Sequence, residues 1–159
     1  MEAVFRTKAA LLGAAVDYAI RGDAEPTPIL QREEVRRMEE AETAQELLDL
    51  HAAHLRRIVP RSARIVSVVE HSAAADPAVA ELWRTLDQNR RTGVGWAADT
   101  LLRKRDRPSG LERPEVEAIF WVAVNWGTYR TLAELAGLDL DGYEAWLVRF
   151  YAATLLGPR

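Results

Sequence analysis

Three histidines, one asparagine and five tryptophans are the side chains of this sequence best suited to recognition or chemistry. His51 and His54 stand three residues apart, so a helix puts them on one face, a spacing compatible with shared metal ligation; His71 follows on the next predicted helix. Cysteine is absent and only Asp49 and Glu70 lie close by, so the expectation is histidines that face solvent or are hydrogen-bonded, with no metal and no cofactor. Asn125 interrupts an apolar run, where a buried amide needs a neighbouring helix, a second subunit, a water or a ligand to satisfy it. Trp83, Trp96, Trp121 and Tyr129 lie on largely apolar helices and suit either plain core packing or an aromatic box around a flat or hydrophobic ligand. His51, His54, Trp83, Trp96, Trp121, Asn125 and Tyr129 form the candidate ligand-binding set. Enzyme patterns are missing: there is no G-x-S-x-G, no phosphate-cradling glycine loop, no H-E-x-x-H and no convincing carboxylate pair. No catalytic residue is assigned, and the expectation is a protein that is not an enzyme.

Bulk composition narrows the class further. A length of 159 residues suits one domain with a substantial core. With 48% hydrophobic and 28% charged residues, the chain lies far from the composition of disordered segments. A formal charge of −3 supplies no general attraction to phosphates, so nucleic-acid binding by this chain alone is disfavoured. Without cysteine, a secretion-type leader or an apolar run near the roughly 20 residues that span a bilayer, the expectation is a cytoplasmic protein with no membrane partner.

The elements that must position these residues read as helices throughout, and the fold class expected is all-α. A first helix runs from about Thr7 to Arg21, with Gly22 as its left-handed stop. A loop over residues 23–28 precedes a short charged helix over residues 31–40. Thr43 and Glu46 form a capping-box pattern that opens a helix from Ala44 to Val59, which Pro60 is expected to end. Another helix starts near Ser62 and carries the β-branched cluster Ile65, Val66, Val68 and Val69. Asp76-Pro77 starts a long helix to about Lys104, in which Gly93 and Gly95 imply a close crossing, a kink, or room for a ligand beside Trp96. The basic loop over residues 103–107 reads as a solvated connection. A helix from Pro114 to Ala136 is apolar on almost every side, and a last helix carries Tyr143, Trp146, Leu147, Phe150, Tyr151 and Leu155.

Two consecutive helices with so much aromatic surface predict a homodimer built on a four-helix bundle, with Trp126, Tyr143, Trp146 and Phe150 at its interface. The alternative is that all these rings pack internally.

The string Phe5-Arg6-Thr7-Lys8-Ala9-Ala10-Leu11-Leu12 resembles the F-x-x-K-x-x-L-L junction at which TetR-type transcriptional regulators pass from their helix-turn-helix to their ligand-binding domain. The run from Trp121 to Leu132, followed by Asp139-Leu140-Asp141-Gly142-Tyr143-Glu144-Ala145-Trp146-Leu147, looks like the last two helices of that family. The resemblance implies a TetR-like C-terminal helical bundle that dimerises through its last two long helices. Residues 1–6 would be the remnant of the helix-turn-helix junction, and residues 7–159 a ligand-binding and dimerisation domain. It further implies a small hydrophobic or aromatic effector, bound between the first helix and those starting near Thr43, Asp76 and Pro114. DNA would be contacted only through a helix-turn-helix not present in this chain. The alternatives are a stand-alone dimeric helical ligand-binding protein and a small helical enzyme.

Overall fold

A computed structural model describes residues 6–23, 27–107 and 110–156, and among these there are helices and turns but no strand. The all-α expectation holds, including over Ile65 to Val69, whose β-branched side chains are helical. Phe5, the first residue of the junction string, lies outside the described residues.

Among the described residues seven α-helices follow one another: α1 (Lys8–Arg21), α2 (Glu33–Glu40), α3 (Ala44–Ala73), α4 (Pro77–Leu102), α5 (Arg113–Ala123), α6 (Trp126–Arg130) and α7 (Leu140–Tyr151). A 3-10 turn, Ile29–Gln31, leads into α2, and wide π-type turns, Thr131–Leu135 and Ala152–Leu156, close α6 and α7. Local chemistry sets most of the ends. Thr7 accepts the Ala10 amide at 3.1 Å to open α1, and Gly22, at φ 78°, closes it. The Asp76 carboxylate accepts the Ala78 and Val79 amides ahead of Pro77, and Asp139 accepts the Gly142 amide at 2.8 Å.

Pro60 does not end a helix as expected. α3 runs through it for 30 residues, and the two predicted helices are one. A proline inside a helix removes one backbone donor; here packing against α1, α2, α4, α6 and α7 carries the helix through it. The opposite error occurs at Asn125. The predicted helix from Pro114 to Ala136 breaks there, because the Asn125 carboxamide oxygen accepts the Gly127 amide at 2.7 Å and caps a new helix, α6. Thr43 accepts the Glu46 amide as expected, but the Glu46 carboxylate turns to the Glu42 amide instead of completing the reciprocal box. The basic loop after α4 is a tie between elements, not only a solvated connection. The Asp106 carboxylate accepts the Ala44 amide at 2.9 Å, and the Lys104 ammonium donates to the Glu39 carbonyl at 2.9 Å.

Because α3 packs against α1, α2, α4, α6 and α7, the core forms along it in two parts. The larger joins α3 with α2, α4, α5 and α7 around Met38, Leu47, Leu48, Leu101, Phe120, Leu147 and Tyr151. The smaller joins α1, α3 and α4 around Leu12, Val16, Val66, Val69, Val79 and Leu86. Trp126 packs against both. Arg56 of α3 fastens α7 by pairing with Asp141 and, at 3.1 Å, with Glu144. Gly93 and Gly95 lie inside an uninterrupted α4; a β-carbon at Gly93 would meet nothing, and one at Gly95 would meet only the Arg113 and Glu117 side chains.

Candidate functional site

The larger cavity of the described residues is a cleft of about 380 Å³ between the C-terminal end of α1, the start of α2 and one face of α3. α3 contributes His54, Arg57, Ile58 and Arg61, whose spacing of three, four and seven residues aligns them along one stripe. Ile20, Arg21, Gly22 and Asp23 come from α1 and its cap, and Thr27, Ile29, Gln31, Arg32, Glu33 and Glu34 from the opposite wall.

Its charges are largely matched. The Arg32 guanidinium holds the Asp23 carboxylate with two bonds of 2.9 and 3.1 Å and donates to the carbonyls of Thr27 and Arg21 at 3.2 Å. Arg57 pairs with Glu34 at 2.9 Å. Burial works to raise the Glu34 carboxyl, yet its own backbone amide and Arg57 outweigh that and hold it below the ordinary range. Glu33 turns to Arg36 and Arg37, whose hydrogen bonds likewise lower its pKa. Arg61 is different: its guanidinium donates to the Ile20 carbonyl at 3.1 Å, and no carboxylate of the described residues pairs with it. His54 has a buried Nδ1 with no hydrogen-bond partner. Burial, and after it the Arg57 charge, push its pKa down to about 4, so the ring is neutral near pH 7.

Gly22 makes this arrangement possible. A β-carbon there would fall on the Arg61 guanidinium, and φ of 78° is a conformation that other residues adopt at a cost. Gly22→Ala is therefore expected to destabilise the protein by about 1–2 kcal/mol and to displace Arg61, read as a lower midpoint in urea unfolding. A stability equal to the parent's would contradict this.

The seven candidate ligand residues do not converge. Only His54 lines the charged cleft. His51, one turn earlier on α3, is buried in the larger core, where its Nδ1 shares a 2.7 Å hydrogen bond with the Tyr151 hydroxyl and its ring meets Phe120 edge-on at 5.1 Å. Burial, with His54 beside it, pushes its pKa down to about 3. Trp83 and Asn125 line a second, smaller cleft of about 80 Å³ together with Trp126, Arg90 and Arg130. Trp96 donates to the Glu39 carboxylate at 2.8 Å, and Tyr129 meets Tyr143 edge-on at 4.9 Å. Trp121 lies under two guanidinium groups, Arg90 at 3.9 Å and Arg91 at 4.8 Å from its ring centre. The aromatic residues are thus spent on separate contacts between helices, and no common aromatic box forms. The described residues contain no group of three or more side chains arranged to hold a metal.

Of the four candidate interface residues, Tyr143 is wholly buried within its own chain, because the i, i+4 and i+8 positions of α7, Tyr143, Leu147 and Tyr151, form its inward stripe. Trp126 faces Ser62 of α3, to whose hydroxyl it donates at 2.8 Å. Trp146 and Phe150 are half-buried and stack in parallel with centroids 5.0 Å apart. Val122 on α5 is exposed at 43%.

Reasoning from sequence missed Arg32, Arg57 and Arg61. The readable signal was the stripe His54, Arg57, Ile58 and Arg61, basic and apolar in alternation on one helix face. Comparison with protein-family profiles, curated proteins and solved structures finds no match to this chain. No helix among the described residues is long and apolar enough to cross a membrane.

Proposed function

We propose that this chain is the ligand-sensing and dimerisation domain of a TetR-like transcriptional regulator. The carrying observation is that the larger cleft is built on the end of α1, the helix whose first turns carry the second half of the junction-like string. A ligand there contacts α1, α2 and α3 together, so its binding free energy can differ between two positions of α1, which is what a sensor requires. A helix-turn-helix unit joined ahead of α1 would read DNA. The cleft's charged walls suit a polar or amphipathic effector better than the small hydrophobic or aromatic one that the resemblance implies.

The stacked Trp146 and Phe150 on α7, with Val122 on α5, are the surface offered to a second copy. Light scattering tests this. The native protein is expected at twice 17.8 kDa at micromolar concentration, and the double substitution Val122→Arg, Trp146→Asp at the monomer mass with its helical circular dichroism retained. A native monomer at that concentration would count against dimerisation through α5 and α7. A stand-alone ligand-binding protein is the second reading. It shares the cleft and the interface, and it differs in leaving the position of α1 unchanged on binding.

A further inference from the structure

We propose that the cleft beneath α1 binds a small monocarboxylate with an apolar body, its carboxylate held by the Arg61 guanidinium. This assignment of effector class rests on the sensor reading above for its biological meaning.

Charge accounting carries it. Among the described residues, four arginines line the cleft, Arg21, Arg32, Arg57 and Arg61, against three carboxylates, Asp23, Glu33 and Glu34. Each of those carboxylates is already engaged by a guanidinium, Asp23 by Arg32, Glu34 by Arg57, and Glu33 by Arg36 and Arg37. A cationic ligand would have to break one of these pairs. An anion breaks none, because Arg61 spends one donor on the Ile20 carbonyl and has no carboxylate of its own. The end of α1 carries roughly half a negative charge, but Arg61 and Arg32 already cover its last carbonyls, Ile20 and Arg21, so a full positive charge faces the cleft over a half-negative one. One free guanidinium matches one carboxylate in charge and fork geometry; a phosphate dianion would call for a second.

Two further features fit the same ligand. Ile20, Ile29 and Ile58 give the cleft apolar wall area, and about 380 Å³ is the lower end of the size that small-molecule sites occupy. The left-handed Gly22 is part of the design, since any side chain there would occupy the place of the Arg61 guanidinium.

Titration of the full chain with 3-phenylpropionate and with octanoate, each beside its primary amide, tests the proposal by amide-resolved NMR. Both acids are expected to move the resonances of Gly22, His54, Arg57 and Arg61, and each amide to bind about tenfold more weakly or less, the loss anticipated for one charge-assisted contact. Arg61→Met should lower acid affinity by at least that factor while leaving amide binding unchanged; Arg61→Lys, which keeps the charge, covers the case in which the methionine variant does not fold. Acid and amide binding equally well at these residues would overturn the carboxylate assignment and leave the sensor reading intact. Perturbation confined to Trp83 and Trp126 would move the effector site to the smaller cleft, overturning this proposal alone. No perturbation anywhere by either acid would also overturn it, whereas the sensor reading falls separately, on a monomeric native mass.

Discussion

Acidification from pH 7 to pH 5 is expected to lower the stability of the protein by at least about 2 kcal/mol, a loss that comes before its carboxylates titrate. His51 and His54 ionise near 6.5 when exposed, but burial holds them to about 3 and about 4 in the fold. Between those values and 6.5 the unfolded chain binds protons that the folded one refuses. The stability gained by keeping the rings neutral is therefore complete above pH 6.5 and is lost as the pH falls through that window. At about 1.4 kcal/mol per tenfold in proton concentration, His51 alone accounts for roughly 2 kcal/mol by pH 5. His54, on a cleft wall nearer to solvent, adds a smaller amount. Against a typical total of about 5–15 kcal/mol, that is a sizeable fraction of the stability. The lowered carboxyls of Glu33, Glu34 and Asp99 act in the same direction at lower pH. Urea unfolding at pH 7, 6 and 5 is the measurement. The double substitution His51→Phe, Tyr151→Phe removes both partners of the 2.7 Å bond together and should flatten the dependence. A native stability that does not change between pH 7 and 5 would refute the account.

Trp126→Ala should be among the most damaging single substitutions, at about 3–5 kcal/mol. Its indole packs against both hydrophobic clusters, donates to the Ser62 hydroxyl at 2.8 Å and lies 5.2 Å from the Arg90 guanidinium. Removal leaves a void where the clusters meet. Ser62 is not orphaned, since its hydroxyl still donates to the Ile58 carbonyl, so the cost is packing rather than a stranded polar group. Trp126→Phe should recover a large part of it by filling most of the space. Guanidinium titration followed by circular dichroism is expected to show a broadened or two-step transition for Trp126→Ala, because the halves no longer share a side chain. A loss under about 1 kcal/mol with an unchanged single transition would mean that Trp126 does not join them.

The parts of this fold that were legible in the sequence are those decided within one turn of chain. Thr7, Gly22 and Asp76-Pro77 end or open helices through their own side chains or backbone freedom, and they do so in the structure; Asp139, whose side chain caps the last helix, went unread. Pro60 and Asn125 misled for opposite reasons. Pro60 is overruled by helices packed on several sides of α3, and Asn125 wins against an apolar run because its carboxamide reaches an amide two residues on. The cleft was legible only through His54. Arg61 against Gly22 and Arg32 against Asp23 depend on how α1 lies across α3, which no local pattern carries. The tryptophans were recognisable as large and apolar, but their partners, Glu39, Ser62, Arg90 and Arg91, come from other helices.

The two hydrophobic clusters are unequal, and this fixes the order in which the molecule can loosen. Among the described residues the cluster beneath α1 has six buried members, and the one spanning α2 to α7 has twenty. Only Leu12 and Val16 are α1's own buried side chains, while Leu11 and Tyr18 are turned to solvent. Loss of α1 strips the smaller cluster of its cover but leaves the side chains of the larger one in place. Loosening is therefore expected to begin at the first helix, where amide exchange should outpace that of the twenty-residue interior.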